Sequence, residues 1–126
     1  MPTSTRFSKP ILAALIDAKI LGIRAGGEHR FTGVWPLVVG GRAFIRSWND
    51  KPTGWRRAFD AEPTGLMQLP NGREVAVRAR PVKSERLLNA MDDAYAEKYP
   101  TPASKKWVRG FAQAKRRATS VELVPR

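Results

Sequence analysis

Two short clusters in this chain carry the residue types of an anion site: Arg46-Ser47-Trp48 and Trp55-Arg56-Arg57. A guanidinium is a planar fork of N–H donors that matches phosphate or carboxylate, a hydroxyl adds one more hydrogen bond, and an indole offers a face to a flat ring. The first cluster falls where an apolar run ends. The second falls where a helical pattern begins, and free N–H groups and the helix dipole favour anions there. Arg30, upstream, supplies a further cation. The candidate ligand-holding set is therefore Arg30, Arg46, Ser47, Trp48, Trp55 and Arg56, and the ligand class is a phosphate-bearing small molecule with a ring. No residue in the set is a natural acid–base catalyst. His29 is the single histidine and cysteine is absent, so no thiolate site or disulfide can form and no metal site is expected. The sequence has no Gly-x-Ser-x-Gly elbow, no P-loop and no dinucleotide fingerprint, because Gly26-Gly27 and Gly40-Gly41 lack the required spacing.

The elements that must position these groups follow from periodicity. Residues 34–39 and 42–48 are short runs rich in β-branched and aromatic side chains, joined by Gly40-Gly41, which is a hairpin signal. Pro36 cannot donate to a ladder, so the first run must carry a bulge or an open side there. Both of its faces are apolar. Asn49, Asp50, Pro52 and Gly54 make a polar turn, and residues 55–62 then read as a short helix closed by Pro63. Earlier, Ser8 and Pro10 open a helix with Ile11, Leu12, Leu15 and Ile16 on one face, followed by a strand at 20–24 and an extended piece at 28–31. Later, residues 66–69 and 73–80 flank Pro70-Asn71-Gly72, a second hairpin signal. Ser84 can cap a helix striped with Leu87, Leu88, Met91, Ala94 and Tyr95. After Pro100 and Pro102, Ser104 can cap another helix, with Trp107, Val108 and Phe111 inward and Lys105, Lys106 and Arg109 outward. Residues 119–124 alternate as a last strand. About six strands, mostly in hairpins, with one early, one connecting and two late helices, predict an α+β fold whose antiparallel sheet closes into a small barrel. A chain of 126 residues is expected to form one domain, 1–126.

Hydrophobic content of 42% argues for a packed core rather than disorder. The run 11–16 stops at Asp17, too short for a membrane span or a signal segment. With no cysteine, a cytoplasmic location without membrane association is the expectation. The formal charge is +12, and residues 101–126 hold seven Lys and Arg against one Glu, half of that excess. Such a patch concentrates anions. It keeps a nucleic-acid-binding reading open, carried by Lys105, Lys106, Arg109 and Lys115-Arg116-Arg117.

The segments VWPLVVGGRAFIRSW, GWRRAFDAEP, VAVRARPV and the tail from AYAEKYP onward resemble the flavin- and deazaflavin-binding split β-barrel proteins. Within them, the chain is most similar to a bacterial family of unknown function related to the deazaflavin-dependent nitroreductases. The resemblance spans nearly the whole chain. It implies a homodimeric split barrel with FMN or deazaflavin at the subunit interface or barrel mouth, an oxidoreductase of unknown substrate, and Ser47 and Trp55 at cofactor-holding positions. The chain departs from those relatives in two places. Ala25-Gly26-Gly27-Glu28-His29-Arg30 stands where they have a glycine-lysine-serine-glycine phosphate loop, and Trp48-Asn49 stands where they have a glycine pair. The alternative is a cofactor-less split barrel acting as a small-molecule-binding protein or dimeric scaffold.

Overall fold

A computed structural model of the chain describes residues 6–27 and 30–126. Among these, seven strands form one antiparallel sheet: β1 (Leu21–Ala25), β2 (Thr32–Val34), β3 (Leu37–Val39), β4 (Arg42–Ile45), β5 (Thr64–Gln68), β6 (Glu74–Pro81) and β7 (Val121–Pro125). Their spatial order is β2-β1-β5-β6-β7-β4-β3. The first and last strands in that order are opposite edges, yet only Trp35 and Pro36 separate them in sequence. Three Cα steps reach at most about 11 Å. The sheet must therefore curl until its edges nearly meet, which makes it a half-barrel in an α+β fold. Residues 34–39 are thus not the single strand their pattern predicts. Pro36, unable to donate to a ladder, sits in the step by which the chain leaves one edge and starts the other. Gly40 and Gly41, at φ +58° and +76°, make the tight β3–β4 turn that a residue with a Cβ would resist.

Five helices accompany the sheet: α1 (Lys9–Asp17), α2 (Trp55–Ala61), α3 (Glu85–Lys98), α4 (Pro102–Phe111) and α5 (Ala114–Arg117). Ser84 caps α3 as its position predicts, its hydroxyl accepting from the Leu87 amide at 3.4 Å. Ser8 occupies the α1 N-cap but makes no capping bond through its side chain. At α4 the cap is Thr101 rather than Ser104: its hydroxyl accepts from the Ser104 amide at 3.2 Å. Pro102, well suited to the first helical turn, moves the start upstream.

The sheet buries both faces at its β4 end. Ala43 and Ile45 of β4 join an inner core with Leu15, Leu21, Ile23, Met67, Leu123 and the α2 residues Trp55 and Phe59. Phe44, between them, joins an outer core with Leu37, Met91, Tyr95, Tyr99 and Phe111, under α3 and α4. β7 lies in the middle of the sheet, so Val121 through Val124 are all buried and its expected half-wet alternation is lost. Glu122 is accommodated there by Arg42, whose Nε and Nη2 each donate to its carboxylate at 2.8 Å. Elsewhere the outer face is barer. Leu66 and Ala76, paired across β5 and β6, are half-buried and belong to neither core. No described helix is long and apolar enough to cross a membrane.

Candidate functional site

Period-two alternation decides where the first arginine goes. Phe44 faces the outer core, so Arg46 faces it too, and it is 1% exposed. Its donors meet a ring of acceptors: Ser120 Oγ at 2.7 Å, Asp92 Oδ1 at 2.5 Å, and the carbonyls of Phe111 and Leu88 at 3.0 Å each. Asp92 bridges onward to Arg117, which also reaches Glu85 and Asn89. The guanidinium thus ties β4 to α3, to the end of α4 and to the residue before β7.

The other expected groups divide between separate places. The Ser47 hydroxyl accepts from the Asp50 amide at 2.9 Å and the Ser47 amide donates to Thr119 Oγ1 at 2.9 Å. Asp50 is taken by Arg56, Nε at 2.6 Å and Nη2 at 2.8 Å, and by Arg57 at 3.2–3.3 Å. The hydrogen bond from Arg56 holds the Asp50 carboxyl below its ordinary value against burial, and Asp50 raises Arg56 in return. Trp55 packs edge-on against Phe59 in the inner core, across the sheet from Arg46 and Trp48. Arg30 is exposed in the β1–β2 link and makes no hydrogen bond or ion pair among the described residues. His29 lies outside the described residues, as does part of the departed phosphate loop. The guanidinium groups of Arg46 and Arg56 donate to the protein's own acceptors, Ser47 is buried with its hydroxyl accepting from Asp50, and Trp55 is walled in. This arrangement does not fit a flavin or deazaflavin phosphate cradle at those four residues.

Trp48 is different. It is half-buried, edge-on to Trp107 at 4.7 Å and to Phe111 at 5.2 Å between centroids, and the Arg116 guanidinium lies 3.6 Å over its ring. Trp48 lines two clefts. One, of about 360 Å³, is lined by Gly33, Val34, Trp35, Trp48, Trp107 and Phe111, with Arg46 at its floor. The other, of about 320 Å³, is lined by Trp48, Asn49, Asp50, Lys115, Arg116 and Thr119. Gly110 permits the arrangement: a Cβ there would stand 2.2 Å from Trp48 Cη2. Of the candidate set, then, the structure brings Arg46, Ser47 and Trp48 together and sends Trp55 and Arg30 elsewhere, while Arg56 joins only through Asp50. Trp35, Trp107, Lys115 and Arg116 were not in the set. Trp107, expected inward, is 40% exposed. Gly110, in the same helix, was a signal only that something bulky approaches α4, and that residue is Trp48. Among the described residues no three His, Cys, Asp or Glu gather to hold a metal ion.

Over residues 12–123 the chain matches a family described as an uncharacterized protein conserved in bacteria (DUF2255). Comparison with curated proteins gives no match. Among solved structures the chain is similar to the crystal structure of the conserved hypothetical protein Rv2991 from Mycobacterium tuberculosis, with 16% identity and a TM-score of 0.58 over 97% of this chain and 84% of that one. At that identity the likeness speaks for the fold alone.

Proposed function

The chain belongs to this bacterial family, and from that premise we propose that it is a small-molecule-binding split barrel whose ligand carries a planar ring. The observation that carries the reading is the cleft walled by Trp35, Trp48, Trp107 and Phe111. Its volume of about 360 Å³ is at the low end of the 300–1,000 Å³ usual for ligand pockets, enough for a fused ring system and too little for a dinucleotide. Indole faces bind rings of many kinds, each stack contributing about 1–3 kcal/mol. Trp107, 40% exposed on α4, is the wall a ligand would cover. Arg46 shapes the floor from beneath while its hydrogen bonds to the Leu88 and Phe111 carbonyls hold the flanking helices in place.

The resemblance makes FMN and deazaflavin the first rings to test, at this cleft rather than at Ser47 and Trp55. Titration with riboflavin, FMN and deazaflavin should quench tryptophan emission saturably, and Trp107→Ala should weaken that binding about tenfold. A linear, non-saturating response to all three rings would refute the reading. We propose further that the chain forms a homodimer through the outer face at β5 and β6. The support is Leu66 and Ala76, half-buried and outside both cores. Light scattering should return twice the 14.1 kDa chain mass, and Leu66→Arg should return the single mass.

A further inference from the structure

Six arginines among the described residues are buried or half-buried: Arg24, Arg42, Arg46, Arg56, Arg116 and Arg117. Five of them face a carboxylate, from Glu74, Glu122, Asp92, Asp50, or Glu85 with Asp92. Arg116 faces none. Its Nε donates to the Trp48 carbonyl at 2.9 Å, and its Nη1 to Gln113 Oε1 at 2.9 Å and the Gly110 carbonyl at 3.3 Å. These acceptors are neutral. They hold the guanidinium rigid without cancelling its charge, and its position 3.6 Å over the Trp48 ring recovers only part of the attraction an anion would give. Nη2 has no hydrogen bond among the described residues.

The surroundings add to the imbalance. Arg116 lines the second cleft, beside Asn49 and Lys115, and Lys115 is exposed with no ion pair among the described residues. The one carboxylate in that cleft, Asp50, is already bound by both Arg56 and Arg57, so its charge is more than offset. A half-buried, immobilised guanidinium with a free edge, next to an unpaired ammonium, is the arrangement that recognises an oxyanion.

We propose that Arg116 and Lys115 form an oxyanion subsite, taking the phosphate or carboxylate arm of a small molecule. This deepens the ring-binding reading and rests on it for one point only: that the same ligand places its ring in the aromatic cleft that Trp48 also lines. The anion arm reaches from the aromatic cleft along Trp48 into the second cleft, where Asn49 offers its side-chain amide.

The test is calorimetric titration of the full chain with inorganic pyrophosphate and with oxalate at fixed ionic strength. Saturable binding of either anion is expected. Lys115→Gln, an exposed position, should weaken it about threefold with the melting midpoint unchanged, and Arg116→Gln about tenfold or more. Pyrophosphate binding alone assigns a phosphate arm, and oxalate alone a carboxylate arm; each supports the subsite. No saturable response to either anion overturns it, as does wild-type affinity in both variants. A single-stranded oligonucleotide that binds more tightly than pyrophosphate also overturns it, giving the patch to nucleic acid. Riboflavin, which has no oxyanion, reports the ring cleft separately: its failure with pyrophosphate binding intact removes the ring reading and leaves the subsite.

Discussion

At the scale of single residues, the region is organised by close fits that leave little room for change. Gly110 is the clearest. A methyl at that position would stand 2.2 and 2.5 Å from two ring atoms of Trp48, so Gly110→Ala should expel the indole. We expect a loss of about 1–3 kcal/mol in urea unfolding, a red-shifted tryptophan emission and a ring cleft that no longer binds. Unchanged emission would contradict the packing. Arg46→Met tests the buried guanidinium. Removing one partner of a fully buried pair costs about 3–5 kcal/mol. Asp92 is 24% exposed on its side chain and keeps Arg117, so the expected loss is smaller, about 2 kcal/mol by the same reasoning. Asp50, below its ordinary carboxyl value through Arg56, contributes stability that is complete above the unfolded carboxyl range and is lost as pH falls through its lower native value. Asp50→Asn should remove that acid-side dependence from the melting curve.

At the scale of elements, α3 clamps the seam of the half-barrel. Lys98, its last residue, donates from Nζ to the carbonyls of Leu15 and Pro36 at 2.9 and 2.7 Å, and Tyr95 donates to the carbonyl of Trp35 at 3.3 Å. Trp35 in turn stacks on Tyr99 at 4.1 Å. Burial, with Lys19 adding to it and Asp17 opposing, pushes the Lys98 amine down to about 8 from 10.5. The two carbonyl acceptors act the other way, since they favour the ammonium. With the lowered value, the folded chain binds fewer protons than the unfolded chain between those limits, so stability should climb as pH rises from about 8 towards 10.5. Lys98→Met should flatten that rise; an identical pH profile in the variant would discount the shift. The local devices here were readable in sequence. Gly40-Gly41, Asn71-Gly72 and the Ser84 cap each depend on neighbours a few positions away. Arg46 was half readable: alternation places it on the Phe44 face, but only tertiary packing says that α3 and α4 cover that face. The sequence offered it as a free clamp, and it gave no sign that Asp92, 46 positions on, would accept from it. Arg116, 68 positions from Trp48, left no local trace, since a charge run in sequence looks the same whether its members are paired or free.

At the scale of the whole molecule, the charge of +12 is less available than its total suggests. Within the basic C-terminal stretch Arg117 is neutralised by Glu85 and Asp92, while Lys105, Lys106, Arg109, Lys115 and Arg116 make no ion pair among the described residues. Five such cations acting together would release counterions from about five phosphates, so any affinity of these cations for duplex DNA should fall with salt at a logarithmic slope no steeper than about −4.5. A much steeper slope in a filter-binding series would restore nucleic acid as the leading partner. The sheet order has a further consequence, in time rather than space. β7, last in the chain, is wedged between β6 and β4 and shares three register pairs with β4 and five with β6. During synthesis, every earlier strand emerges from the ribosome before the one that joins the two halves. Until residues 121–125 clear the exit tunnel, both halves wait with bare, sticky borders, and the nascent chain passes through a stage at which a chaperone has most to protect.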